Sequence, residues 1–180
     1  RQVLVTTTAD NDAAGFTLSR STAGVSEAGS TDTFTVALTA QPGADVVLNV
    51  TSSDTTEVTV SLATLTFTPA NWGALQIVTV QGVDDPLIDG PQSTAVTVSV
   101  VDATSDDLFD AAADQWVVVT TTDDDLAGFT VSQSTATVSE AGSTDTFTVA
   151  LMAQPNTTVV LTVTSGDVTE VTAGPPTLIF

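Results

Sequence analysis

The chain has 180 residues, of which 42% are hydrophobic, enough for a buried core, and it carries 22 acidic residues against two basic ones, Arg1 and Arg20, for a formal net charge of −20. That balance leaves no basic footprint for nucleic acid and would be repelled by an anionic membrane surface, and no apolar run reaches the roughly 18 residues of a membrane span. The absence of histidine and cysteine removes the usual ligands of zinc, copper and iron–sulfur sites, any disulfide framework, and the common general base of catalytic triads.

High acidity often accompanies disorder. Here the acids gather at the ends of apolar, β-branched runs, which is the pattern of a folded chain with charged loop ends. The text opens on "RQVLVTTTAD", which reads as the closing strand of a unit lying upstream, so the expectation is a fragment of a longer chain. Next, "DTFTVALTA" alternates Phe34, Val36 and Leu38 with threonine, a period-two pattern that predicts a half-buried strand. "DVVLNVTS", "ATLTFTP", "LQIVTVQGV", "TAVTVSVV" and "QWVVVTTT" follow as further strands. Gly29, Pro42–Gly43, Ser52–Asp54, Pro69–Gly73 and Asp84–Pro91 supply turn signals between them. No segment sustains a helical period. Seven or so short strands predict an all-β fold, a Greek-key antiparallel two-sheet β-sandwich of immunoglobulin-like type. Val, Leu, Ile and Phe line its interior, with Trp72 and Trp116 partly buried near the ends. Threonine faces water, being β-branched yet polar.

Self-comparison reveals a tandem repeat. "GFTLSRSTAGVSEAGSTDTFTVALTAQP" from Gly15 returns as "GFTVSQSTATVSEAGSTDTFTVALMAQP" from Gly128, an offset of 113 residues with 24 of 28 positions identical. The match runs without a gap to Phe180, opposite Phe67, and backwards through "VLVTTTADNDAAGF" and "WVVVTTTDDDLAGF". The reading is that residues 1–12 are the last strand of a preceding repeat, 13–125 a complete repeat, and 126–180 the first half of a following one. From Trp116 to Phe129 there is no proline and no glycine–serine run, as a flexible linker would show, so the joint between copies reads as stiff once its charge is neutralised.

That charge is the second feature. Glu27, Asp54, Asp84, Asp85, Asp89 and the run Asp123, Asp124, Asp125 all fall in loops, and Greek-key connections can gather such loops at one end of a sandwich. With no lysine to pair them, a hard divalent cation resolves the repulsion. Ca2+ suits carboxylates and backbone carbonyls, whereas Mg2+ demands stricter geometry. The spacing is not that of an EF-hand loop. The alternative reading keeps these aspartates as turn formers and solubilising charges, which fits Asp32, Asp45 and Asp102. The stretch "SDDLFDAAAD" places Asp106, Asp107, Asp110 and Asp114 in one long loop as a separate acidic group.

In combination, "VSEAGSTDTFTVAL", "SSD", "LTFTPANW", "QIVTVQGVDD", "DG" and "DDD" resemble the Calx-beta domain, and more closely the Calx-beta-like repeats of long bacterial surface proteins and adhesins. The resemblance covers the whole first copy and the available part of the second. It implies a calcium-binding sandwich in which Glu27 matches the acid of the V-x-E motif and Asp54 the acid after a core strand. Asp84 and Asp85 match the paired acids, Leu87 a backbone-carbonyl ligand, Asp89 the following acid, and Asp123–Asp125 the closing triplet. Glu140 and Asp167 match in the second copy, and Asp10 and Asp12 would serve an upstream one. The chain departs from the family where a further acid often follows, having Gly90, Pro91 and Gln92 instead.

The functional expectation is a structural repeat: a calcium-stiffened stalk or fibre segment of a secreted or cell-surface, bacterial adhesin or matrix protein. Its partners would be neighbouring repeats of the same chain and, through strand donation to the half copy, further copies in a filament. Nucleic acid, membrane insertion and enzymatic activity are not expected. Thr-rich strands such as "TDTFTV" and "VTTTAD" leave recognition of a glycan or of an ice-like surface as an alternative. The Asn49 and Asn156 sequons are of the kind that chance produces in Thr-rich sequence.

Overall fold

The computed structural model describes residues 12–180. The segment read as the closing strand of a preceding repeat, with Asp10, therefore lies outside the described residues except for Asp12. Contacts divide the chain into two compact units, one running to Asp84 and resuming over Pro91–Thr122, the other comprising Asp85–Gly90 and Asp123–Phe180. The chain passes from one unit to the other beside its acidic runs, at Asp84–Asp85, after Asp89, and at Asp123.

The first unit is the expected two-sheet sandwich, built from nine strands rather than seven. One sheet has the order β1 (Phe16–Leu18), β3 (Thr31–Leu38), β7 (Gln76–Gly82), β5 (Val58–Val60). The other has the order β2 (Thr22–Ser26), β9 (Gln115–Thr122), β8 (Gln92–Val100), β4 (Val46–Ser52), β6 (Thr64–Phe67). Strands distant in sequence are neighbours, as in a Greek key: β3 pairs with β7 through Phe34↔Val78, and β4 with β8 through Val50↔Val98. The extra strands are β5, at the far edge of its sheet, and the pair β1 and β2, which divide the first edge between the two sheets. After β1 the chain changes sheets over Ser19–Ser21, and β2 joins β9 through Ala23↔Val119 and Ser26↔Thr122. That pairing is parallel, the one departure from an antiparallel sandwich among the described strands of this unit.

Alternation explains the core. In β3 the buried positions are Phe34, Val36 and Leu38, in β9 Val117, Val119 and Thr121, and in β8 Thr94, Val96 and Val98. These meet Phe16, Val46, Leu48, Val50, Leu65, Phe67, Val78 and Val80 in one cluster, closed from the long β8–β9 loop by Phe109. Burying each such side chain contributes about 1.5–3 kcal/mol. Trp72 is half-buried against this cluster, as expected. Trp116 is not: it is 59% exposed, because it is out of phase with the inward Val117, Val119 and Thr121 of β9.

In the second unit the repeated sequence makes repeated pairings. β10 (Phe129–Val131) pairs with β11 (Val149–Leu151) through Phe129↔Leu151, as Phe16 pairs with Leu38 113 residues earlier. β12 (Val160–Thr162) pairs with β13 (Thr177–Ile179), as β4 pairs with β6. Gly29 and Gly142 share a positive φ, 80° and 84°, a conformation that glycine adopts without steric cost. Burial does not repeat. Phe34 is 1% exposed whereas Phe147 is 45% exposed, since residues 126–180 contain no equivalent of β7, β8 or β9 to cover it.

Candidate metal centre

The site is assembled where β2 and β9 end together. Glu27 follows β2, and its amide donates to the Thr122 carbonyl at 3.1 Å, extending the ladder by one rung. Asp123 is the next residue after Thr122. One carboxylate oxygen from each of Glu27, Asp123 and Asp125 lies within 4.8 Å of the others. Glu27 is fully buried and the two aspartates are half-buried. Two residues before Asp123, the Thr121 hydroxyl is also buried and has no hydrogen-bond partner.

Backbone amides orient the acidic loop and the triplet. Gly90 N donates to Asp123 Oδ2 at 2.9 Å, and Asp125 N to Asp123 Oδ1 at 2.8 Å. These two amides, and that of Asp89, hold the Asp123 carboxyl below the usual carboxylate range, against partial desolvation. Asp123 is thus an anion fixed at both oxygens. In the 85–90 loop, Leu87 N donates to Asp85 Oδ1 at 2.7 Å, and the Pro86 carbonyl accepts from Gln154 N at 2.7 Å. Leu87 itself forms a parallel bridge to Gln154.

Asp54 is exposed and folded back on its own turn, where Oδ1 accepts from the Thr56 hydroxyl at 2.6 Å and the Thr56 amide at 2.9 Å. Those two bonds, the hydroxyl first, lower its pKa. Asp167 repeats this turn with Thr169 at the same distances. Asp84, Asp89, Asp124 and Glu140 are exposed. The eight-carboxylate gathering expected from the loops is therefore, among the described residues, a group of three mutually close carboxylates. Asp54 and Asp85 each accept at Oδ1 from an amide of their own turn.

Two residues were missed. Glu57 is only 8% exposed, just before β5, and its carbonyl accepts from Val83 N at 2.9 Å, beside Asp84. The one sign of it in the sequence is its recurrence as Glu170. Thr121 reads as one more threonine in "VVVTTT", and only the phase of β9 turns its side chain inward.

The residues present fit a hard cation. A buried carboxylate needs a counter-charge, and three acids converge on one point. Among the described residues the one basic side chain, Arg20, is engaged elsewhere, its Nη1 donating to Asp32 Oδ2 at 2.6 Å. The donors are all oxygen, which suits Ca2+ over transition metals.

No family model matches the chain, and no curated protein does. Among solved structures it is similar to the apo-form Calx CBD1 domain, at 13% identity over 63% of this chain and 100% of that chain, with a TM-score of 0.47. It is similar to the E. coli chaperone DraB at 6% identity, over 62% of this chain and 56% of that chain, with a TM-score of 0.45. It is similar to domains 1–6 of the surface layer protein SbsC at 17% identity, over 84% of this chain and 19% of that chain, with a TM-score of 0.41. These are likenesses of fold at low identity. No helix of the described residues is long and apolar enough to cross a membrane.

Proposed function

We propose that this chain is a calcium-binding structural repeat, a non-catalytic stalk or fibre segment of a secreted or cell-surface protein of adhesin or matrix type. The convergence of Glu27, Asp123 and Asp125 carries the reading. Asp123 and Asp125 belong to the run that leads from one repeat into the next, and Glu27 belongs to the first repeat's own sandwich. A cation held by all three would offset their repulsion and stiffen the joint between repeats. Ca2+ would be held by these three carboxylates, with the neighbouring Asp85, Asp89 and Asp124 and the Leu87 carbonyl as further oxygen donors. Neighbouring repeats of the same chain are the natural partners, and a bacterial cell surface is the setting that a tandem, acidic, cysteine-free spacer suits.

Calorimetric titration of the full chain with calcium tests this, together with thermal unfolding in calcium and in chelator. Because the unfolded chain lacks the assembled site, calcium at 100 times its dissociation constant adds about 2.7 kcal/mol of stability. Equal unfolding midpoints in calcium and chelator, with no heat of binding, would remove the proposal.

A further inference from the structure

We propose that the outer face of the β2–β9–β8–β4–β6 sheet binds a neutral, hydroxyl-rich polysaccharide, with Trp116 as its stacking platform. In a chain with 22 acidic residues, none of these five strands carries a charged residue at any position. Their outward positions are mostly hydroxyls with the Asn49 amide, interrupted by the small or apolar Gly24, Val47, Ala95 and Val118. Thr51 pairs with Thr97, and Thr97 with Trp116, so the three form one row across the sheet. Asn49 and Ser99 form the adjacent row, and Thr120 lies further along β9. Rows of this kind repeat about every 6.7 Å along a strand, and strands about every 4.8 Å across.

Trp116 belongs neither to the core cluster nor to the partly buried side chains packed on it. The inward residues of β9 fill the core, while its indole stands 59% exposed. The upstream segment that aligns with β9 has Val3 at this position, so the strand pattern is met without an indole. A large aromatic left in water is unfavourable and commonly marks a contact surface. The apolar C–H face of a sugar ring fits against an indole plane. The surrounding hydroxyls and the Asn49 amide exchange hydrogen bonds with sugar hydroxyls, with no charged residue in the five strands to desolvate. The same chain repels anionic polymers through its net charge of −20. The face therefore selects neutral over acidic polysaccharides.

The experiment is affinity electrophoresis of the full chain through gels carrying a neutral glucan, mannan or galactan, with alginate as the acidic comparison. Trp emission is followed in a Trp72→Phe background so that Trp116 reports alone. At least one neutral polysaccharide is expected to retard the protein and shift that emission, and alginate is expected to do neither. Trp116→Ala abolishes retardation while its unfolding midpoint stays within a few degrees of wild type, since the side chain is exposed. Asp123→Asn and calcium chelation leave retardation unchanged, which separates this face from the metal centre. No retardation by any neutral polysaccharide, or equal retardation of Trp116→Ala, overturns the proposal. So does ice shaping by the wild type without glycan retardation, which would assign the face to ordered water.

Discussion

The Gly90 amide donates to Asp123 Oδ2 at 2.9 Å, tying the loop after β7 to the acidic run after β9. Gly90 sits at φ +73°, where a side chain would be strained, and Asp123 takes a second amide from Asp125. One carboxylate thus has two roles, as an acceptor of backbone amides and as a charge beside Glu27 and Asp125. Asp123→Asn removes the charge and keeps one of the two acceptors, since its NH2 group cannot accept from the second amide. Calcium affinity should fall on the order of tenfold or more, as expected for losing a charged donor, while stability in chelator should fall by the cost of one amide left without its acceptor, about 1–3 kcal/mol. Calorimetry and thermal melts of the same variant check both halves.

Gly82, at the end of β7, passes close to the strand that carries Glu27. A Cβ there would lie 2.1 Å from the Ser26 carbonyl oxygen and 2.8 Å from its carbon, both backbone atoms that cannot rotate away. Gly82→Ala should cost about 1–3 kcal/mol in denaturant unfolding and weaken calcium binding by displacing the neighbouring Glu27. Gly73→Ala, where nothing lies within 4 Å of the added Cβ, should stay within about 0.5 kcal/mol of wild type.

Phe34 and Phe147 are the same residue of the repeat in two surroundings, 1% and 45% exposed. Phe34→Ala opens a cavity in the first sandwich and should cost about 3–5 kcal/mol. Phe147→Ala removes a ring that water already reaches and should cost less than about 1 kcal/mol. Urea unfolding of the two variants makes the comparison, and equal losses would contradict the burial described.

Acid should weaken the fold through Asp106. Its carboxylate accepts from Leu108 N at 3.0 Å, Ala44 N at 3.0 Å and Gly43 N at 2.6 Å, and these amides lower its pKa. The unfolded chain binds the proton first, near pH 3.9. The stability contributed by Asp106 is therefore complete above that pH and lost as pH falls through the lower folded value. Asp106→Asn should flatten this limb of a stability-versus-pH curve.

Asp110 should behave in the opposite sense. Desolvation first, and then the charges of Asp102, Asp107 and Asp106, raise its pKa. The folded chain then binds the proton before the unfolded one, so the penalty of ionised Asp110 is present at neutral pH and relieved as pH falls. Asp110→Asn should unfold at a higher temperature than wild type at pH 7, with the difference shrinking as acid protonates Asp110 in the folded and the unfolded wild-type chain.

Much of the fold was legible because a strand's side chains alternate with period two. Phe34, Val36 and Leu38 announced their inward face, and the 113-residue offset recurs as identical pairing registers in β1–β3 and β10–β11. The candidate site was legible only as a set of loop acids. Asp54 and Glu27 look alike in sequence, yet one folds onto Thr56 and the other is buried beside Asp123 and Asp125. Trp116 was placed partly inside because aromatics usually are, and the phase of β9 turned it outward.

Local pattern by itself determined that this chain is β-rich, repeated, acidic and without the residues of thiol or imidazole chemistry. Those properties follow from composition and short-range periodicity. Only tertiary structure decided which three carboxylates meet, that β2 runs parallel to β9, and that one sheet face is free of charge around an exposed indole. Each of these depends on pairing between strands up to about a hundred residues apart, which no local pattern encodes.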